Sequence, residues 1–142
     1  MWRSLVTGAG YSGTPLAKKL GVKAGHTMAV LNEPAEFRDW LAPLPERVRM
    51  TKSIGRSPDV VVLFAKRRTQ LQRRIEEAAE AIFPSGSIWV GWPKKSSNVA
   101  TDITEDVVRE IALPLGLVDT KVCAISDVWS GLRVVWRKEL RT

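Results

Sequence analysis

Residues 59–92 switch from one hydrophobic periodicity to another and back, and this constrains the fold more than any other part of the chain. Residues 59–64 (Asp-Val-Val-Val-Leu-Phe) are nearly all β-branched or aromatic, the composition of a strand covered on both faces. Leu71, Ile75, Ala78, Ala79 and Ile82 then recur at helical spacing until Pro84 and Gly86 stop the run, and Thr69 with Gln72 reads as the capping box that opens it. Residues 88–92 (Ile-Trp-Val-Gly-Trp) form a second buried strand. A strand, a crossover helix and a strand in this order predict a parallel sheet with helices on both sides and right-handed connections.

The flanking segments extend the pattern. Thr14-Pro15 followed by Leu16, Ala17 and Leu20, then Gly21, predicts a short helix with Thr14 as N-cap, Pro15 at its first position and Gly21 closing it. Residues 26–31 read as a strand ending at Asn32-Glu33-Pro34. Pro34 opens a brief helix carrying Phe37, Trp40 and Leu41, closed by Pro43 and Pro45, and Val48-Arg49-Met50 is an edge-strand candidate. Asp102 with Glu105 repeats the capping-box pattern ahead of Ile103, Val107, Val108 and Ile111, and Pro114 and Gly116 end that helix. Strands over 118–125 and 132–136, joined by 126–131 (Ser-Asp-Val-Trp-Ser-Gly), predict an antiparallel hairpin at the sheet edge. The expected fold is a single α/β domain over 1–142: a Rossmann-like three-layer sandwich, mostly parallel, with an antiparallel C-terminal hairpin.

A chain of 142 residues with 44% hydrophobic content can bury one continuous core without metals or disulfides. The single cysteine, Cys123, lies in an apolar stretch and is read as a buried small hydrophobe in a reduced, cytoplasmic compartment. No stretch approaches the roughly 20 apolar residues of a membrane span. The one histidine, His26, has no cysteine or histidine partner at metal-ligand spacing, so no metal site is expected. Twenty-two Lys and Arg against 15 Asp and Glu give a net charge of +7, which attracts polyanions. Nucleic-acid binding through a basic face that includes Arg67, Arg68, Lys94 and Lys95 is therefore one functional alternative.

Residues 8–13 supply a G-x-G-x-x-G run, and Glu33 lies twenty residues past Gly13, where a ribose-binding carboxylate belongs in a dinucleotide fold. Pro15 argues against that use. It places the helix start beyond the last glycine, whereas a phosphate cradle needs the helix N–H groups inside the glycine run. A dehydrogenase of the short-chain type would also need a downstream Tyr-x-x-x-Lys, and the only tyrosine is Tyr11. The run is read as a glycine-rich loop leading to a capped helix.

Residues 11–21 (Tyr-Ser-Gly-Thr-Pro-Leu-Ala-Lys-Lys-Leu-Gly), 92–95 (Trp-Pro-Lys-Lys), 100–109 (Ala-Thr-Asp-Ile-Thr-Glu-Asp-Val-Val-Arg), 118–123 and 129–133 resemble the small bacterial domain-of-unknown-function family 3052 over nearly everything from Ala9 onward. The resemblance implies that residues 1–8 are an N-terminal extension, and it implies no activity. Residues 101–138 also resemble the last helix, strand and hairpin of methyltransferase-type Rossmann domains, which implies S-adenosylmethionine as a cofactor in an enzyme alternative. This chain departs from that pattern after its 26–31 strand, where residues 32–36 (Asn-Glu-Pro-Ala-Glu) contain no glycine, so the backbone there approaches a cofactor less closely.

In an open parallel sheet, ligands bind where the strands end. The loops after Leu31, Phe64 and Trp92 bring Asn32, Glu33, Lys66, Arg67, Lys94, Lys95, Ser96, Ser97, Asn98, Asp102 and Thr104 as candidates. The lysines suit an anion, and the Ser-Ser-Asn segment suits a hydrogen-bonding lip. The leading expectation is a non-catalytic domain that binds an anionic small molecule or an acidic protein partner in this crevice. Trp92 and Trp129 are candidate partner contacts, and the hairpin edge is a candidate homodimer contact.

Overall fold

The computed structural model describes residues 14–142, so the glycine run at 8–13 lies outside the described residues. Six strands form one sheet: β1 (Thr27–Leu31), β2 (Arg49–Thr51), β3 (Val60–Phe64), β4 (Ser87–Pro93), β5 (Leu117–Ala124) and β6 (Trp129–Trp136). Their spatial order is β2-β1-β3-β4-β6-β5. The first four run parallel, and β6 is antiparallel to both β4 and β5. Helices α1 (Leu16–Lys19), α2 (Phe37–Leu41), α3 (Arg68–Ile82) and α4 (Glu105–Ala112) cover it. Among the described residues no helix is long and apolar enough to cross a membrane.

The pleat sorts the strand residues into two cores. Val61, Leu63, Ile88, Val90, Leu132 and Val134 pack under α3 and α4, while Val60, Val62, Phe64 and Trp89 pack under α1 and α2. Every residue of β3 and β4 is buried, as the solid apolar runs predict for strands sandwiched between helices. Two tryptophans stitch helices to the sheet through their indole N–H groups. Trp89 donates to the Leu20 carbonyl at the end of α1, at 2.9 Å, and Trp136 donates to the Ala79 carbonyl of α3, at 2.8 Å.

On the α1–α2 side, Gly91 of β4 and Gly131 of β6 stand directly opposite one another. Their missing side chains leave a dent. A Cβ at Gly91 would lie 2.9 Å from the Phe64 ring, and one at Gly131 would lie 2.9 Å from Ile125. Phe64 and Ile125 occupy that dent, and Phe64 meets Phe37 and Trp129 edge-on, with ring centroids 5.0 Å apart in each case.

Helix boundaries depart from expectation in three places. Pro15 takes the N-cap position of α1, so Thr14 lies one residue ahead of the cap. Gly21 closes this helix as expected. With φ +79° it lets its own N–H bond the Lys18 carbonyl and the Val22 N–H bond the Ala17 carbonyl, the paired bonds of a Schellman ending. Helix α3 starts at Arg68 rather than after Thr69, because the Gln70 side chain turns back to accept the Lys66 and Arg67 N–H groups at 3.0 and 3.1 Å. Thr104, not Asp102, caps α4 by accepting the Val107 N–H.

The hairpin is tighter than expected, since β6 begins at Trp129. A bulge interrupts β5 between Asp119 and Lys121. Arg109 of α4 reaches Asp119 of β5 at 3.0 Å and also pairs with Glu105 and Asp106, which ties the last helix to the edge strand. Asp119 and Glu105 raise the pKa of that guanidinium above its ordinary value.

Candidate functional site

The chain leaves the carboxyl end of β1 toward β2 on one side, and β3 flanks β1 on the other. This reversal opens a crevice at the strand ends. Two hollows occupy it, of about 440 and 370 Å³, sharing Asn32, Glu33 and Pro34. The larger adds Arg38 and Lys52, and the smaller adds Phe64, Lys66, Gln70 and Trp129.

Asn32 is the divider. It adopts a left-handed backbone conformation, φ +58°, which asparagine tolerates better than most residues. Its side-chain amide donates to the Phe64 carbonyl at 3.0 Å, tying the end of β1 to the end of β3. Glu33 is held by Arg38 at 3.1 Å, so its charge is answered locally. Lys52 and Lys66 have no hydrogen-bonded or ion-paired partner for their ammonium groups among the described residues. The crevice therefore presents two uncommitted cations around a polar divider, an arrangement that attracts an anion.

The other candidates separate. Arg67 is exposed at the N-terminus of α3 beside Lys66. Asp102 serves that same helix: its carboxylate accepts the Arg68 N–H at 2.6 Å, and Thr101 donates its hydroxyl to the Lys66 carbonyl at 2.7 Å. The loops after β3 and β4 are thereby sewn together. Thr104 is occupied as a cap. Lys95 and Ser96 lie on a 3-10 turn over Lys95–Ser97 after β4, Lys94 precedes it as the cap residue, and none of the three lines either hollow. Trp92 and Trp129, expected to face partners, are only 7% and 9% exposed. Trp92 points under α3 and α4 from within β4, the strand in which the sequence placed it, and Trp129 packs against Phe64 because it opens β6 rather than lying in the turn that the sequence suggested.

Sequence reasoning missed Arg38 and Lys52. Lys52 directly follows β2, a parallel edge strand whose carboxyl end belongs to the crevice as much as that of β1. Cys123 is half-buried; burial pushes its thiol pKa up, with Lys19 opposing the shift. Among the described residues no group of three or more His, Cys, Asp or Glu side chains is placed to hold a metal ion.

This fold recurs in solved structures. A magnesium protoporphyrin IX methyltransferase from Synechocystis PCC 6803, solved with bound S-adenosylmethionine, is 12% identical and aligns over 86% of this chain and 74% of its own, with a TM-score of 0.54. A methyltransferase dependent on S-adenosylmethionine from Aquifex aeolicus is 10% identical over 84% of this chain and 86% of its own, with a TM-score of 0.58. A methyltransferase-like structure from Thermoplasma acidophilum is 8% identical over 88% and 75%, with a TM-score of 0.55. The fold is of the methyltransferase type. No family model and no curated protein sequence matches the chain, so the resemblance to family 3052 rests on the sequence segments alone. Against the expected sandwich, the methyltransferase-type fold agrees in its layers, its parallel strands and its C-terminal hairpin.

Proposed function

We propose that this domain uses the methyltransferase-type sheet to bind an anionic small molecule, without catalysing a transfer. The observation that carries the reading is the pair of uncommitted cations, Lys52 and Lys66, on two hollows that share Asn32, Glu33 and Pro34. A divider that spans from β1 to β3 through its own side chain occupies the strand-end turn with a hydrogen-bonded asparagine, and residues 32–36 hold no glycine. Such a turn favours a ligand gripped by side chains over one cradled by backbone N–H groups.

The second reading is a methyltransferase using S-adenosylmethionine, and the structural neighbours favour it. Calorimetric titration separates the two. Pyrophosphate serves as the anionic probe and S-adenosylhomocysteine as the cofactor probe. Under the first reading pyrophosphate binds, and Lys52→Ala or Lys66→Ala each weakens it about tenfold, roughly 1.4 kcal/mol. Tight binding of S-adenosylhomocysteine, unaltered in both variants and with no response to pyrophosphate, would replace the first reading with the second.

A further inference from the structure

The bulge in β5 decides which face of the hairpin Lys121 serves. Asp119 pairs with Val134, and its carboxylate bonds Arg109 on the α4 side. In an unbroken strand Lys121 would share that side, two residues on. Thr120 is the extra residue, and it shifts the register so that Lys121 stands opposite Arg133. Arg133 also pairs with Trp89 across β4, and Trp89 lies in the core under α1 and α2. Lys121 is therefore turned to the α1–α2 face, beside another cation.

Like charges directly opposite on neighbouring strands destabilise a sheet, and no carboxylate relieves this pair. Among the described residues Lys121, Arg133 and Arg141 form no ion pair. Arg133 donates to the neutral Thr120 hydroxyl at 3.0 Å and Arg141 to the Trp136 carbonyl at 2.9 Å. Burial and the nearby Arg141 both lower the pKa of Arg133, so the two guanidinium groups sense one another. Lys121 and Arg133 thus stand across from one another on the hairpin, with Arg141 hydrogen-bonded at the end of β6, whereas the crevice lysines line two compact hollows.

The geometry points to this hairpin face as a binding surface for the phosphate backbone of a single-stranded nucleic acid. Three cations spread along a hairpin match a linear polyanion better than a compact one. Among the described residues the large aromatics within the β4–β6 part of this face, Trp89 and Trp129, are buried, so contact is to phosphates and independent of base sequence. The bulge acts here as bulges do elsewhere, re-aiming one side chain at the expense of regular pairing. This surface is separate from the strand-end crevice and does not depend on the reading given to it.

Fluorescence anisotropy of a labelled oligothymidylate of roughly 20 nucleotides, long enough to cover these cations, tests the assignment in about 50 mM salt and upward. Binding is expected, with a log–log salt slope of about −2, from about 0.7 for each of three phosphate contacts. The double variant Lys121→Ala, Arg141→Ala should flatten the slope by about 1.4 and weaken binding at least about tenfold. Lys94→Ala with Lys95→Ala should leave it unchanged. Lys121→Glu adds a folding control: it answers Arg133 across the strands, so it should raise the melting temperature while reducing binding. Absence of binding at the lowest salt, or binding unchanged in the double variant, overturns the assignment. So does displacement of the oligonucleotide by inorganic phosphate at equal phosphate concentration, which marks a compact-anion site, or tighter binding of polyglutamate, which marks an acidic protein partner.

Discussion

Asn32 shows how one residue shapes the crevice. Its left-handed backbone and its hydrogen bond to Phe64 separate two contributions that a pair of substitutions can resolve. Asn32→Gly removes the hydrogen bond but keeps the backbone unstrained, whereas Asn32→Ala loses both. Urea unfolding should place the glycine variant about 1 kcal/mol below the native protein and the alanine variant about 2 kcal/mol below it; equal losses would mean that backbone strain contributes nothing. The sequence marked Asn32 as polar and exposed to a ligand, but its conformation was not legible, since it depends on a carbonyl 32 residues away. Lys66 was legible because it follows an unmistakable buried strand. Lys52 was not, because Arg49–Thr51 is too short and too polar to declare its direction.

Helix starts were the least legible elements, and the reason is physical. The apolar spacing of α3 fixed its existence and its end, yet its first turn is held by Gln70 from within and by Asp102 from 34 residues away. Local patterns such as Thr69 with Gln72 describe caps made by neighbours in the chain, and cannot register one delivered by another loop. Asp102→Ala should therefore cost about 1 kcal/mol, with increased amide exchange at Arg68, while Thr69→Ala should stay within about 0.5 kcal/mol. A larger loss at Thr69 would restore the cap that the sequence suggested. The strands fared better: the solid runs at β3 and β4 required cover on both faces, and both are buried throughout.

Across the whole molecule, cover falls away from the centre of the sheet to its two edges. Strands β3 and β4 are enclosed, β2 has three residues, and the outer edge of β5 meets no other backbone among the described residues. Native-state hydrogen exchange should be slowest in β3 and β4 and fastest in β2 and on the outward amides of β5. Uniform protection across the sheet would indicate that something further covers the β5 edge. The general plan was legible because a βαβ unit admits few arrangements. The meeting of the β1, β2 and β3 ends was less so, because it depends on which side of β1 each strand is laid.

The facing glycines of β4 and β6 carry a lesson for comparing this chain with others built on the same sheet. Because a single dent is shared by two backbones and filled by Phe64 and Ile125, those four positions can drift only together. A homologue that acquires a methyl group at position 91 or 131 should have surrendered bulk at 64 or 125, and that concerted change would trace shared ancestry where overall identity has faded.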